Sequence, residues 1–151
     1  MSGIDDVLRR QQEHIDKVGW SVMAVLPTDD DPGSPYAYTV GLTAHAYPEL
    51  VIAGLPPHIA HALLNDLASR VYDRAERFHH GQHIADLISG YDAVIVDGPA
   101  TEALHPGAAF AFYGPDRVRL QQIVWPDPAG RYPWNTDYSL DADVQPLIGR
   151  P

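Results

Sequence analysis

Residues 50–55, Leu50-Val51-Ile52-Ala53-Gly54-Leu55, run into Pro56-Pro57 and then a helical pattern over residues 58–77; this stretch decides the fold. Six residues without a polar side chain fit a strand buried on both faces. Proline is tolerated in the first turn of a helix. Behind the proline pair, Ile59, Leu63, Leu64, Leu67 and Val71 recur as one apolar stripe. Burying those side chains contributes about 1.5–3 kcal/mol each before entropy is subtracted. This long helix is expected to anchor the core.

Upstream, residues 20–26 and 36–42 read as two strands separated by the turn-forming stretch 27–35. In the second strand, Tyr36, Tyr38, Val40 and Leu42 share one face, while Ala37, Thr39 and Gly41 leave the other small. A small face admits the close approach of a helix or a ligand, and the helix is the commoner visitor. Ahead of these strands, Ile4, Val7, Leu8, Ile15 and Val18 keep a helical period that stops at Gly19. Downstream, residues 77–84 suggest a strand crowded with histidine, 93–96 a short strand, and 102–112 a helix or turn interrupted by Pro106-Gly107. In 117–125, Val118 and Leu120 alternate on one face, but Ile123 and Trp125 fall on the other, which a bulge at Gln121-Gln122 would reconcile. The resulting class is α+β. A mainly antiparallel sheet or partly open barrel carries one long central helix, an N-terminal helix and a short third helix. A single domain is expected across residues 1–151, with its core at about 18–134 and a docked or frayed tail at 135–151.

Composition removes several functions. With no cysteine in 151 residues, disulfides, thiolate nucleophiles and cysteine-ligated metal centres are excluded. A formal charge of -10 repels phosphate backbones, so nucleic acid is not an expected partner. No apolar run reaches the roughly 20 residues of a membrane span, and the charged start lacks the apolar core of a signal peptide. A cytoplasmic address is therefore expected. A single lysine, Lys17, among ten basic residues suggests a GC-rich bacterial genome.

The densest chemistry lies in residues 121–134, where Trp125, Asp127, Arg131, Tyr132 and Trp134 are stiffened by three prolines. Two indoles and a guanidinium could clamp a planar or anionic ligand, or present a hot spot to a partner. Alternatively, Trp125 and Trp134 plug the end of the sheet while Asp127 bonds its own turn and pairs with Arg131. Glu49, between Pro48 and Leu50 at the mouth of a buried strand, is the best candidate for a carboxyl whose pKa is raised by burial. Its structural alternatives are a helix cap or an ion pair with Arg131. His79 and His83 with Asp86 could converge on a divalent metal; alternate histidines on an exposed strand are more often solvated. Arg70, Arg74 and Arg77 share a helix face that could receive a phosphate or pair with neighbouring acids. Glycine-rich phosphate loops, Gly-x-Ser-x-Gly and His-Glu-x-x-His are absent from the sequence.

Tyr38-Thr39-Val40-Gly41-Leu42, the stretch from Pro48-Glu49-Leu50 to Leu55, and Val124-Trp125-Pro126-Asp127 through Pro133-Trp134 resemble the core motifs of an uncharacterised bacterial family, domain of unknown function 4262. The resemblance covers about residues 18–134 and implies a small cytoplasmic protein without an assigned activity. Where that family often has histidine ahead of Pro-Glu-Leu, this chain has Tyr47, and His45 is the nearby substitute. In layout the chain is also similar to flavin-reductase-like split barrels, which bind flavin mononucleotide (FMN) at a dimer interface. That likeness implies Thr39, Thr43 and one of Arg70 or Arg74 on the phosphate, with Trp125 near the ring.

The leading expectation is a binding domain for a small ligand or a protein partner. Its site would comprise Tyr38, Thr39, His45 and Glu49 with Trp125, Asp127, Arg131 and Trp134, joined by the loop of residues 43–49. An FMN-dependent oxidoreductase is the alternative, and a metal-dependent hydrolase using His79, His83 and Asp86 is third. Lone Tyr and Trp ridges on a small α+β domain also suggest a homodimer.

Overall fold

The computed structural model describes residues 3–30 and 32–151, with side chains from Asp6 onward. Ile4 of the expected helical stripe and Asp31 of the expected loop thus lie outside the described side chains. The elements are α1 (Gly3–Val18), β1 (Ser21–Val25), β2 (Tyr36–Val40), a 3-10 turn (Leu42–His45), β3 (Glu49–Ala53), α2 (Pro57–Arg74), β4 (His83–Ile88), β5 (Tyr91–Gly98), α3 (Gly107–Tyr113) and β6 (Leu120–Val124). The types and order of the helices and strands are those expected from the pattern, and the 3-10 turn stands where a strand end and a loop were expected.

Six strands form one open sheet in the order β1-β2-β3-β6-β5-β4. β3 and β6 pair in parallel, and every other pair is antiparallel. β1 and β4 remain at the two edges, so the sheet does not close into a barrel. Both faces are covered. On one, Leu50, Ile52, Ile95 and Ile123 pack against Ala60, Leu64, Leu67 and Val71 of α2. Ala37 of β2 belongs to this layer, so the visitor to its small face is the helix. On the other face, Val51, Val94, Val96 and Val124 meet Ala109 of α3, Ile148 near the C-terminus and the flank of α1 at Ile15.

Three expectations change. The fourth strand is His83–Ile88 rather than residues 77–84. Gly81 at φ 84 and the bond from Gln82 N–H to the His79 carbonyl turn the chain first. Pro106 does not interrupt a helix but opens one, capping α3 at its N-terminal end. The bulge at Gln121-Gln122 is absent, because β5 pairs with β6 without a break from Leu120 to Val124. β6 is buried on both faces, so both parities are filled and the apparent slip carries no register information. The irregularity lies in β4 instead, between Ile84 and Ile88.

Both glutamines are used as buried amides. Gln121 donates to the Phe78 carbonyl and accepts from Tyr47 Oη. Gln122 donates to the Pro146 carbonyl and accepts from Ile148 N–H. Gln145 returns the pattern, accepting from Trp125 N–H at 2.9 Å and donating to the Trp125 carbonyl at 2.8 Å. Residues 141–149 are therefore a docked strap. Gly54 and Gly98 let it approach, since a Cβ on either would run into the carbonyl oxygen of Val144 or Ile148. Gly98→Ala should accordingly lift the strap and lower stability by about 1–3 kcal/mol, read as a fall in the urea midpoint; an unchanged midpoint would show that the strap yields freely.

Candidate functional site

The parallel register of β3 and β6 separates the residues that the sequence suggested as one site. Glu49 aligns with Leu120 at one end of the pair. Trp125 follows β6 at the other end, where its Nε1 donates to the Ala53 carbonyl at 2.7 Å. With about 3.3 Å of rise per residue, the two ends stand about 13 Å apart. The lip divides as well. Trp125 packs with the α2 layer, whereas Tyr132 and Trp134 pack with the opposite one. The two indoles face away from each other across the sheet, and no clamp forms between them.

At the first end, Glu49 is fully buried and surrounded by donors. Thr39 Oγ1 reaches it at 2.8 Å, Thr43 N–H at 2.8 Å and Thr43 Oγ1 at 2.5 Å, with Gly41 and Leu42 N–H at 3.2 Å. Thr39 Oγ1 in turn accepts from Leu50 N–H, which fixes the direction of its own proton. The carboxylate thus caps the 3-10 turn, as the structural alternative anticipated, and it makes no pair with Arg131. Burial raises its pKa, opposed by the Thr43, Thr39 and Gly41 donors. Around it, Tyr38 Oη accepts from Ala108 N–H. Exposed His45 sits edge-on to Tyr72. Tyr47, which stands where relatives often have histidine, bonds Gln121 and Phe78 with Arg77 over its ring.

At the lip, Asp127 organises its own loop. Its carboxylate accepts from the N–H of Ala129, Arg131 and Ser139 and from Ser139 Oγ, all at 2.8–2.9 Å. Burial works to raise its pKa, but these donors, Arg131 N–H first, outweigh it and hold the carboxyl well below the usual range. Arg131 lies 3.5 Å from Asp127 and 3.3 Å from Asp137. Trp134 stacks on Tyr132 at 5.2 Å, and Tyr132 Oη donates to the Asp92 carbonyl.

The remaining candidates are dispersed. Arg70 is shared between Asp66 and Asp86, and Arg74 pairs with Glu76. Thr39 and Thr43 face Glu49 inside the protein while Trp125 stands at the far end, so these five residues form no common phosphate cradle. His83 faces Asp92 at 3.2 Å, and Asp86 is held by Arg70. Among the described residues, no three His, Asp or Glu side chains converge on a metal position.

What does come together is a cleft of about 470 Å³ at the C-terminal ends of β3 and β6. Leu55, Ile59 and Leu63 form one wall as the chain enters α2. Leu87, Ile88 and Tyr91 form the second from the β4–β5 hairpin, and the lip closes it with Trp125, Pro126 and Pro128. The polar atoms of its two aromatic side chains are already engaged, and exposed Ser89 adds one hydroxyl to the lining. Trp125 Nε1 serves Ala53 and Tyr91 Oη serves Pro128 O. Ile59, read from the sequence as core, is 40% exposed on the rim, and Tyr91 38%. A signal existed. At about 100° per residue, Ile59 sits roughly 110° from the centre of the buried stripe that Ala60, Leu64, Leu67 and Val71 define. Nothing local in the sequence announced the hairpin wall.

A family model described as domain of unknown function (DUF4262) matches residues 14–139. The chain belongs to this family. The DUF4262 match spans the whole sheet, α2, α3 and the lip, and stops before the strap. No curated protein matches the chain.

Two carboxylates titrate in opposite senses. Asp127, with its folded pKa below the unfolded value of about 3.9, contributes stability that is present above that value and lost as pH falls below it. Asp127→Asn should therefore flatten the acid limb of a plot of urea midpoint against pH, and an unaltered limb would remove Asp127 from that role. Glu49, with its pKa raised, contributes stability that is present below about 4.3 and lost as pH rises through the folded value. Glu49→Gln turns an amide NH₂ toward N–H donors and should cost about 1–3 kcal/mol at neutral pH by the same measurement.

Proposed function

We propose that this DUF4262 protein is a ligand-binding domain that takes a small apolar molecule into the cleft beside Trp125. The observation that carries the reading is the prior commitment of the polar atoms on the two aromatic side chains of the wall. With Trp125 Nε1 and Tyr91 Oη bonded to the main chain, the aromatic surfaces stay fixed and offer contact area rather than hydrogen bonds. The volume of 470 Å³ falls within the range of small-molecule sites, about 300–1,000 Å³. The reading is one of capture, and it is supported by the engagement of Glu49 and Asp127, whose oxygens accept from β2, the turn after it and the lip.

The probe is N-phenyl-1-naphthylamine, an uncharged fluorophore that brightens in apolar surroundings. It should bind with a micromolar dissociation constant, and Leu63→Trp, which fills the cleft from a half-buried position, should weaken it about tenfold or more without lowering the thermal midpoint. Binding that Leu63→Trp leaves intact, or no binding at all, would overturn the assignment of this cleft.

A further inference from the structure

We infer that the cleft beside Trp125 selects uncharged aromatic ligands and excludes organic anions; this rests on the ligand-binding reading and names its ligand class. Among the described residues, no lysine, arginine or histidine lines the cleft, and its ionisable members are Asp127 and Tyr91. On the elements that supply two of its walls, Arg70 and Arg131 are each shared by two acids, and Arg74 pairs with Glu76. On α2, Arg70 lies 2.9 Å from Asp66 and 3.0 Å from Asp86. On the lip, Arg131 lies between Asp127 and Asp137. Each of these triads carries an excess of one negative charge, in a chain whose formal total is -10.

The start of α2 offers an anion no more than the N–H of His58. A helix N-terminus ordinarily offers free N–H groups and a positive dipole end. Here Pro57 has no N–H, and the N–H groups of Ile59 and Ala60 both bond the Pro56 carbonyl. A carboxylate, sulfonate or phosphate entering the cleft would leave water for an apolar wall without a cation, beside a region of net negative charge. A cation would also lose its water and gain only hydroxyl oxygens as side-chain acceptors, because the Asp127 oxygens already accept from Ala129, Arg131 and Ser139. A neutral ring system suffers neither cost and gains stacking against Trp125 and Tyr91.

A matched pair of probes tests this. 1-Anilinonaphthalene-8-sulfonate carries the same ring system as N-phenyl-1-naphthylamine plus one sulfonate. Both are titrated into the wild-type protein at low ionic strength, counting only the binding that Leu63→Trp removes. The neutral probe should bind at least about tenfold tighter. Ile59→Lys places a cation on the exposed rim and should tighten sulfonate binding about threefold or more, an effect that added salt reverses. Equal or tighter sulfonate binding in the wild-type cleft would overturn the exclusion of anions while leaving the cleft as the site. Failure of both probes would overturn the underlying reading, and this inference with it. Should Leu63→Trp fold poorly, the response to Ile59→Lys decides alone, because unchanged sulfonate binding in that variant would overturn the inference.

Discussion

The parallel pairing of β3 with β6 is the constraint on which the rest of the structure depends. It sets two strands, far apart in sequence, side by side at the middle of the sheet, both buried on both faces. Because they run the same way, the chain leaves both at one end of the sheet. There the turn into α2 and the start of the lip become neighbours, tied by the bond from Trp125 Nε1 to the Ala53 carbonyl. An antiparallel arrangement would have put Trp125 beside Glu49 and left the entry to α2 without its facing wall. The cleft is a product of strand direction before it is a product of side chains.

The two buried carboxylates show how this small domain holds irregular backbone. Glu49 gathers the N–H groups of three successive residues at Gly41, Leu42 and Thr43. Asp127 gathers three more from Ala129, Arg131 and Ser139. Loops cannot satisfy their own N–H groups as helices and ladders do, and a buried acceptor with two oxygens is a compact remedy. In the same geometry the lone pairs of both groups are directed at the protein.

The order and type of the helices and strands were legible because helical periods and apolar runs survive in the sequence from Val7 to Val124, whereas the 3-10 turn was read as a strand end and a loop. The edges of β4 were not, since the histidines at 79 and 80 belong to a turn set by Gly81, whose positive φ has no distinctive local spelling. Gln121 and Gln122 looked like a break in alternation, yet in a doubly buried strand each parity has its own layer to serve. Site residues were harder to read. The lip was recognised as a unit of sequence, but parity after Ile123 sends Trp125 to the α2 face, while Tyr132 and Trp134 come round the Asp127 turn to the other. Which strand lies beside which is decided by long-range packing, and no local pattern encodes it. The joint site of the 43–49 loop and the lip therefore came apart, and the wall supplied by Leu87, Ile88 and Tyr91 went unread.

The strap has a topological consequence. Ser34 Oγ donates to the Val144 carbonyl across 110 residues, and closing a flexible loop of that length costs about 4 kcal/mol of chain entropy. Gln122 meets Pro146 across only 24, for which the same cost is about 3 kcal/mol. Once β6 is seated, the second closure is the shorter path, and it brings the strap to Ser34 already oriented. The buried amide of Gln122 thus acts as a latch for a distant contact as well as a bond of its own, coupling the first hairpin of the chain to its last residues through the middle of the sheet.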